Sequence, residues 1–229
     1  MAPIKKLFNI SIKEGTTMLL IFDCDGVLRS YSPTAVYDAY QAIAFHIDRD
    51  PRDFWQDFEE FSAWVDFTHW GSNLEKMGIP LGSDYTQIRN VFHEVYDPQI
   101  QVFPWVQEIL QDLSYDNELA VLTSSIPASV MPSLKPLAGF FSRIITNDHV
   151  SRIKPDPEGI NLIVRESGYE RANVIMIGDA DVDILAGKNA GVGTVGVTWG
   201  VFTHEQLSAH NPDVIINDPY ELIQLGEPD

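Results

Sequence analysis

The chain has 229 residues, 45% of them hydrophobic, and a formal net charge of −18 at pH 7 with histidine neutral. This composition indicates a globular protein with a substantial core, and the charge argues against nucleic acids and anionic membrane surfaces as partners. A single cysteine excludes an internal disulfide, and no apolar run approaches the roughly 20 residues that span a bilayer. No secretory signal is expected in residues 1–17, which are interpreted as an N-terminal extension. The single cysteine fits a reducing compartment, so the chain is predicted to be cytoplasmic.

The first predicted strand is an unbroken apolar run, Met18–Phe22, and two carboxylates follow it directly. Because side chains alternate along a strand, Asp23 and Asp25 point to one side and Cys24 to the other, where its thiol is expected to be buried and inert. Two like charges this close disfavour joint ionisation unless a cation or proton separates them. The alternative is a solvated loop that caps the strand. Functional sites in α/β proteins lie at strand ends, so we predict a site here.

Residues 31–100 differ in character and predict a helical insert. Ser32–Pro33 is an N-cap followed by proline at the first helical position, and Asp50–Pro51 repeats this start signal. Apolar residues follow both starts at helical spacing: Val36, Tyr40, Ile43 and Ile47 after the first, and Phe54, Phe58, Phe61 and Val65 after the second. A shorter helix is predicted to end at Gly78, and another to extend from about Asp84 to Val95. The insert is expected to form a cap over the site.

Five further strands are predicted after the insert, and they alternate with helical stretches. Their ranges are Leu119–Leu122, Arg143–Thr146, Val174–Ile177, Thr194–Val197 and Val214–Ile216. This alternation is typical of βαβ units and a parallel sheet. The predicted fold is therefore α/β, with a Rossmann-like core formed by residues 18–30 and 101–229.

Three groups of polar residues follow strands of this predicted sheet. Thr123 and Ser124 end the second strand, Lys154 precedes a proline in a later loop, and Asp179 and Asp183 follow the fourth strand. Each group alone has an ordinary explanation: a hydroxyl-rich turn, an exposed loop lysine, and acids that cap a helix. Their appearance in order at the ends of strands of one sheet favours a common site.

In this arrangement the chain resembles the haloacid dehalogenase-like (HAD) hydrolase superfamily. Four motifs carry the resemblance: Asp23-Cys24-Asp25-Gly26-Val27, Leu122-Thr123-Ser124, Lys154-Pro155, and Gly178-Asp179-x-x-x-Asp183. The segments Ser151–Glu158, Gly178–Gly187, Gly196–Gly200 and Pro212–Pro219 are similar to the phosphoglycolate phosphatase-like branch. One departure lies after the first motif, where Leu28-Arg29-Ser30 lacks the acid that often stands there.

The resemblance implies a Mg²⁺-dependent reaction through an aspartyl-phosphate. Asp23 would be the nucleophile, and Asp25 the general acid and then the general base. Lys154 would stabilise developing charge and bind phosphate. The remaining implied roles are phosphate binding by Thr123 and Ser124, metal binding by Asp23, the Asp25 backbone carbonyl and Asp179, and indirect metal binding by Asp183.

The leading prediction is therefore a phosphatase that acts on a small phosphorylated metabolite. Asp25 favours phosphate-ester chemistry, because relatives that cleave carbon–halogen or phosphonate bonds lack this second carboxylate. A β-phosphoglucomutase-like phosphomutase is the alternative, but it needs cap cations for a second phosphate, and Arg49 and Arg52 stand beside acids. A third possibility is a catalytically silent binding protein on the same fold. The sequence specifies neither the substrate nor the oligomeric state.

Overall fold

The computed structural model describes residues 17–66, 70–80 and 85–225. These residues fall into two compact units. One unit contains the chain up to Ser30 and from Val102 onward, and the other contains the residues between Tyr31 and Gln101. Within the described ranges, no helix is both long and apolar enough to cross a bilayer.

The first unit is built on a parallel sheet. Its strands are β1 (Met18–Phe22), β2 (Asn117–Leu122), β3 (Phe141–Ile145), β4 (Val174–Gly178), β5 (Gly193–Val197) and β6 (Val214–Ile216). They lie in the order β3-β2-β1-β4-β5-β6, and each neighbouring pair is parallel. This arrangement confirms the predicted α/β fold with a Rossmann-like sheet.

Helices connect the strands and form most of the second unit. The α-helices are α1 (Pro33–His46), α2 (Phe58–Trp64), α3 (Trp70–Lys76), α4 (Thr86–Tyr96), α5 (Val106–Leu113), α6 (Pro127–Leu134), α7 (Glu158–Ser167), α8 (Asp181–Ala190) and α9 (His204–Ala209). Short 3₁₀ helices lie at Pro51–Asp53, Asp97–Gln99, Lys135–Phe140, Asn147–His149, Arg171–Asn173 and Pro219–Leu225.

Strand β1 is buried on both of its faces. Leu20 and Phe22 pack in a cluster with residues of α5 and α6, whereas Leu19 and Ile21 pack in a second cluster with residues of α7 and α8. The alternation follows from the period of two in a strand, and burial on both faces explains the continuous apolar run. Since helices cover both faces, the polar residues that follow β1 must collect at the end of the strand.

Four strands differ from their predicted limits; β4 extends one residue further, to Gly178, and β5 begins one residue earlier, at Gly193. Strand β2 begins at Asn117 rather than Leu119, because the Asn117 amide is satisfied: it accepts from Met18 N at 3.3 Å and donates to Leu113 O at 3.0 Å. Strand β3 begins at Phe141 and ends at Ile145, so the predicted limits Arg143–Thr146 are wrong at both ends. Both β2 and β3 have polar residues near their starts, so a search for apolar runs does not find these limits.

Helix α1 begins where the sequence predicted it. The Ser32 hydroxyl accepts a hydrogen bond from Ala35 N at 3.1 Å, with Pro33 at the first helical position. Tyr40 and Ile43 are buried on the predicted face. The cap and the proline therefore set the start of the helix, as this pattern commonly does.

The second predicted helix of this unit begins later than the sequence predicts. Only a 3₁₀ turn follows Asp50, and α2 starts eight residues after Asp50, at Phe58. Asp57 is the N-cap of α2, where its side chain accepts from Glu60 N at 3.0 Å. Trp55 does not belong to the predicted apolar face, yet it is only 2% exposed. The centroid of its ring lies 4.8 Å from the ring centroid of Trp64. The cap at Asp57 starts a new helix here, with the Trp55 indole buried just before it.

The remaining helices of this unit are α3 and α4. Helix α3 ends at Lys76, just before the predicted stop, and α4 extends to Tyr96; the predicted start at Asp84 lies outside the described residues. Asn73 of α3 is buried and donates to the Tyr40 hydroxyl at 3.0 Å. This contact places Asn73 in the interior of the helical unit.

Candidate active site

The carboxyl ends of β1 and β4 lie side by side in the centre of the sheet. Phe22 of β1 pairs with Ile177 of β4. Asp23 directly follows Phe22, and Asp179 follows Ile177 by two positions. Asp23 N still donates to Ile177 O at 2.9 Å. The strand order reverses here, because β1 is followed in the sheet by β2 on one side and β4 on the other. Open α/β sheets form ligand-binding crevices at such points.

Lys154 joins two acidic residues of this region. Its Nζ lies 2.6 Å from Asp23 Oδ1 and 2.6 Å from Asp183 Oδ1, and the lysine is only 7% exposed. Lys154 comes from the loop before α7, and Asp183 lies in the first turn of α8. The second oxygen of Asp183 accepts from Ala180 N at 3.1 Å. Both Asp183 oxygens are thus engaged by the protein itself.

Burial dominates the electrostatics of this cluster. It raises the pKa of Asp23 to about 7, with Lys154 opposing the effect and Asp183 adding to it. Burial also raises the pKa of Asp179 well above its usual range, and the nearby charges of Asp183 and Asp23 contribute. For Lys154 burial alone would lower the pKa, but the charges of Asp183 and Asp23 outweigh it and raise the pKa. One lysine therefore faces more buried negative charge than it can neutralise.

The acidic cluster has the chemistry of a divalent-cation site. Asp23, Asp179 and Asp183 offer carboxylate oxygens that lie within 4.8 Å of one another. Asp179 Oδ2 accepts from Val201 N at 2.6 Å, which leaves Oδ1 as the oxygen for a ligand. Asp23 likewise has one oxygen besides the one that contacts Lys154. Clustered carboxylate oxygens are what Mg²⁺ prefers, so these residues fit this ion.

Two glycines lie close to the side chain of Asp179. A Cβ atom on Gly26 or on Gly200 would lie 2.1 Å from Asp179 Oδ2 in either case. Gly26 also has φ +81°, which favours glycine in the turn after β1. Asp179 is therefore held between the β1 turn and the loop after β5, where any larger residue would displace its carboxylate.

Asp25 has different partners from Asp23. Its Oδ1 accepts from Arg29 Nε at 2.7 Å, and its Oδ2 accepts from the Ser125 hydroxyl at 2.8 Å. The Asp25 side chain is 20% exposed, whereas the Arg29 side chain is almost fully buried. Although they lie two residues apart, the two carboxylates of the first motif stand in separate polar environments.

The hydroxyl residues after β2 are less closely tied to the cluster. Thr123 is buried beside β1, and its Oγ1 accepts from Ser125 N at 3.1 Å. Ser124 is half-buried. In the described part of the chain neither hydroxyl has a recorded hydrogen bond to the acidic residues. Their contact with phosphate therefore stays a prediction.

The sequence patterns did not identify three residues of this site. Arg29 appeared only as a departure from the usual motif, and Gly200 only as the end of a similar segment. Ser125 directly follows the predicted pair Thr123 and Ser124 but was not among the predicted residues. The available signal was a charged residue, Arg29, directly after the apolar residues Val27 and Leu28. A residue of this kind, if buried, requires a charged partner nearby.

Comparisons with known proteins agree with this geometry. The haloacid dehalogenase-like hydrolase family matches residues 20–197. Probable phosphatase IndB from Dickeya dadantii is 33% identical over 222 residues, which cover 90% of this chain and 91% of that protein. Pyrophosphatase PpaX from Bacillus velezensis is 33% identical over 136 residues, 58% of this chain, but the match spans only 63% of that relative.

A solved structure shares the fold along most of the chain. The crystal structure of a predicted phosphoglycolate phosphatase from Haemophilus somnus superposes with a TM-score of 0.73. The match covers 92% of this chain and 98% of that one, at 20% sequence identity. At this identity the likeness supports the fold alone, whereas the family match extends over the residues of the acidic cluster. The chain belongs to the haloacid dehalogenase-like hydrolase family.

Proposed function

We propose that this hydrolase is a Mg²⁺-dependent phosphatase that acts on a small phosphorylated metabolite. The observation that carries the proposal is the contact of Asp23 with Lys154 at 2.6 Å, in a buried cluster that includes Asp179. A nucleophilic carboxylate, a fixed cation and a second acid are the groups that phosphoryl transfer requires. Relatives named phosphatase and pyrophosphatase support the same reaction class.

In the proposed reaction, an oxygen of Asp23 attacks phosphorus in line with the ester oxygen. The bond to the ester oxygen breaks, and Asp25 gives that oxygen a proton. Asp25 then takes a proton from the water that attacks the aspartyl-phosphate, so inorganic phosphate leaves and Asp23 is regenerated. Lys154, with Thr123 and Ser124, binds the oxygens that do not react.

The metal would be held by Asp23, the Asp25 carbonyl and Asp179. When bound, Mg²⁺ neutralises the carboxylates and the phosphate, so that two anions can approach each other. Asp183 acts indirectly in this proposal, because both of its oxygens are engaged by Lys154 and Ala180. Its function would be to orient the lysine.

The helical unit is proposed to be the cap that selects the substrate. Each residue assigned to phosphate chemistry lies in the other unit, so contacts to the rest of the substrate are left to residues 31–100. The phosphomutase alternative is less favoured, because Arg49 pairs with Asp53 at 2.8 Å and Arg52 with Asp50 at 2.5 Å on an exposed surface. Cations engaged in this way are typical of a solvated surface.

The test is a phosphate-release screen with Mg²⁺ over phosphoglycolate, pyrophosphate, hexose phosphates and 4-nitrophenyl phosphate. We expect hydrolysis of at least one substrate, and we expect Asp23→Asn to abolish it while the variant remains folded, since the amide cannot attack phosphorus. Single-turnover mass spectrometry should detect phosphate on Asp23 of the wild type. Asp23→Asn activity within about tenfold of the wild type would refute the mechanism.

A further inference from the structure

Both oxygens of Asp25 are held by side chains that the proposed chemistry does not otherwise use. Arg29 Nε lies 2.7 Å from Oδ1, and the Ser125 hydroxyl lies 2.8 Å from Oδ2. A carboxylate with donors on both oxygens cannot rotate without losing one of these bonds. Its orientation is therefore set by these two residues.

Arg29 is itself fixed by contacts on several sides. It is 1% exposed, its Nη1 donates to Ser129 O at 2.9 Å, and its Nη2 donates to Ser129 Oγ at 2.9 Å. Its backbone forms bridges to Asp25 and to Val102. The planar guanidinium thus spans from α6 to Asp25 in a geometry that a lysine cannot reproduce, because an ammonium is a single point of donation.

A buried arginine at this point requires an explanation. Burial of a charge is costly unless the charge is paired and hydrogen-bonded, and an apolar residue of similar size would often stabilise the fold equally well. Arg29 follows the buried apolar residues Val27 and Leu28, so a continued apolar turn was available to this sequence. The carboxylate that Arg29 contacts is the proposed acid and base.

We propose that Arg29, with Ser125, is a positioning residue that fixes the orientation of Asp25 for proton transfer. This inference rests on the proposed phosphatase function. Arg29 cannot accept a proton and occupies Oδ1, whereas a serine hydroxyl can donate or accept. Oδ2 is thus the oxygen that exchanges the proton with the leaving group and then with water.

The alternative role is purely structural, a buried ion pair that ties the turn after β1 to α6. The two roles differ in one measurable respect. A misplaced general acid slows departure of a poor leaving group and spares a good one, because a good leaving group needs little protonation. A loosened fold slows every substrate alike.

The test uses Arg29→Lys and Ser125→Ala, with Arg143→Lys as the matched control. Arg143 also pairs with an acid, Glu166 at 2.9 Å, but on the exposed surface. The release of 4-nitrophenol from 4-nitrophenyl phosphate, and of phenol from phenyl phosphate, is measured in a single turnover. We expect Arg29→Lys to lose about a hundredfold with phenyl phosphate, as for a misplacement of about 1 Å, and under about threefold with 4-nitrophenyl phosphate.

Ser125→Ala removes one hydroxyl. It keeps the proposal testable if Arg29→Lys does not fold. Its rate loss should also be greater with phenyl phosphate than with 4-nitrophenyl phosphate, but smaller than the loss of Arg29→Lys. In an Asp25→Asn background, Arg29→Lys should add no further leaving-group bias, because it acts through Asp25. Arg143→Lys should match the wild type on both substrates.

Equal losses on both substrates, or no loss, in the Arg29 and Ser125 variants would overturn the positioning role. This failure is distinct from failure of the proposed function, which is reported by Asp23→Asn. If Asp23→Asn is inactive and the losses are uniform, the phosphatase mechanism stands and only the role of Arg29 and Ser125 is refuted.

Discussion

Gly200→Ala tests whether the position of Asp179 controls catalysis. The added Cβ would lie 2.1 Å from Asp179 Oδ2 and 2.5 Å from Asp179 Cγ, whereas ordinary contacts begin at 3.4 Å. The carboxylate must therefore move by more than about 1 Å, and a misplacement of this size can reduce a rate by about a hundredfold. The shift also strains the hydrogen bond from Val201 N at 2.6 Å.

The fold should survive this substitution. Gly200 is not among the glycines with positive φ, so alanine adds no backbone strain there. Overpacking costs about 1–3 kcal/mol, which is less than the usual stability of a domain of about 5–15 kcal/mol. Gly139→Ala is the matched control, because its Cβ would meet nothing within 4 Å. The control should leave activity unchanged.

The assay is phosphate release as a function of Mg²⁺ concentration, with urea unfolding of each variant. We expect Gly200→Ala to lose about a hundredfold in rate and to require more Mg²⁺ for half its maximal rate, since Asp179 is a proposed ligand. Unfolding should stay cooperative in both variants. A Gly200→Ala enzyme with the rate and Mg²⁺ dependence of the wild type would refute the assignment of Asp179.

Two further predictions concern the charges of the cluster. Lys154→Met should weaken substrate binding and turnover together, and should lower stability by about 3–5 kcal/mol in Mg²⁺-free buffer, because it leaves Asp23 and Asp183 without their buried partner. Unchanged kinetics and unfolding would mean that the lysine has no part in the site. Ca²⁺ should inhibit competitively with Mg²⁺ and support no turnover, because it takes about six to eight oxygens and often binds both oxygens of a carboxylate such as Asp23. Turnover with Ca²⁺ alone at the Mg²⁺ rate would contradict Asp23 as both ligand and nucleophile.

The strands were predictable because their burial is uniform. All five residues of β1 are buried, so the sequence carries a continuous apolar run. Errors arose where a contact with a distant residue compensates local polarity, as at Asn117, whose amide oxygen accepts from Met18 N across 99 positions of sequence. The predicted helix after Asp50 begins late because Asp57 caps a new helix, with Trp55 buried against Phe61 and Trp64. Apolar spacing alone does not show this second start.

The acidic residues of the site were predictable from topology, whereas their supports were not. Parallel strands bring their carboxyl ends to one edge, so acids that follow two of them must lie close together. Arg29, in contrast, contacts Ser129 across 100 positions of sequence, and Ser125 contacts Asp25 across the same separation. No local pattern encodes such pairs. The departure at Arg29 was visible, but its meaning depends on where the helix after β2 begins.

In the proposed mechanism, the different contacts of Asp23 and Asp25 would let one short motif supply two chemical functions. Asp23 is buried against Lys154 and faces other carboxylates, which suits a nucleophile that must meet an anion beside a cation. Asp25 is partly exposed, and its two oxygens accept from Arg29 and Ser125. Acid–base pairs of one residue type take different functions only when their environments differ. In the proposed mechanism, the residues that separate the two environments, rather than the aspartates alone, would determine which carboxylate attacks and which transfers the proton.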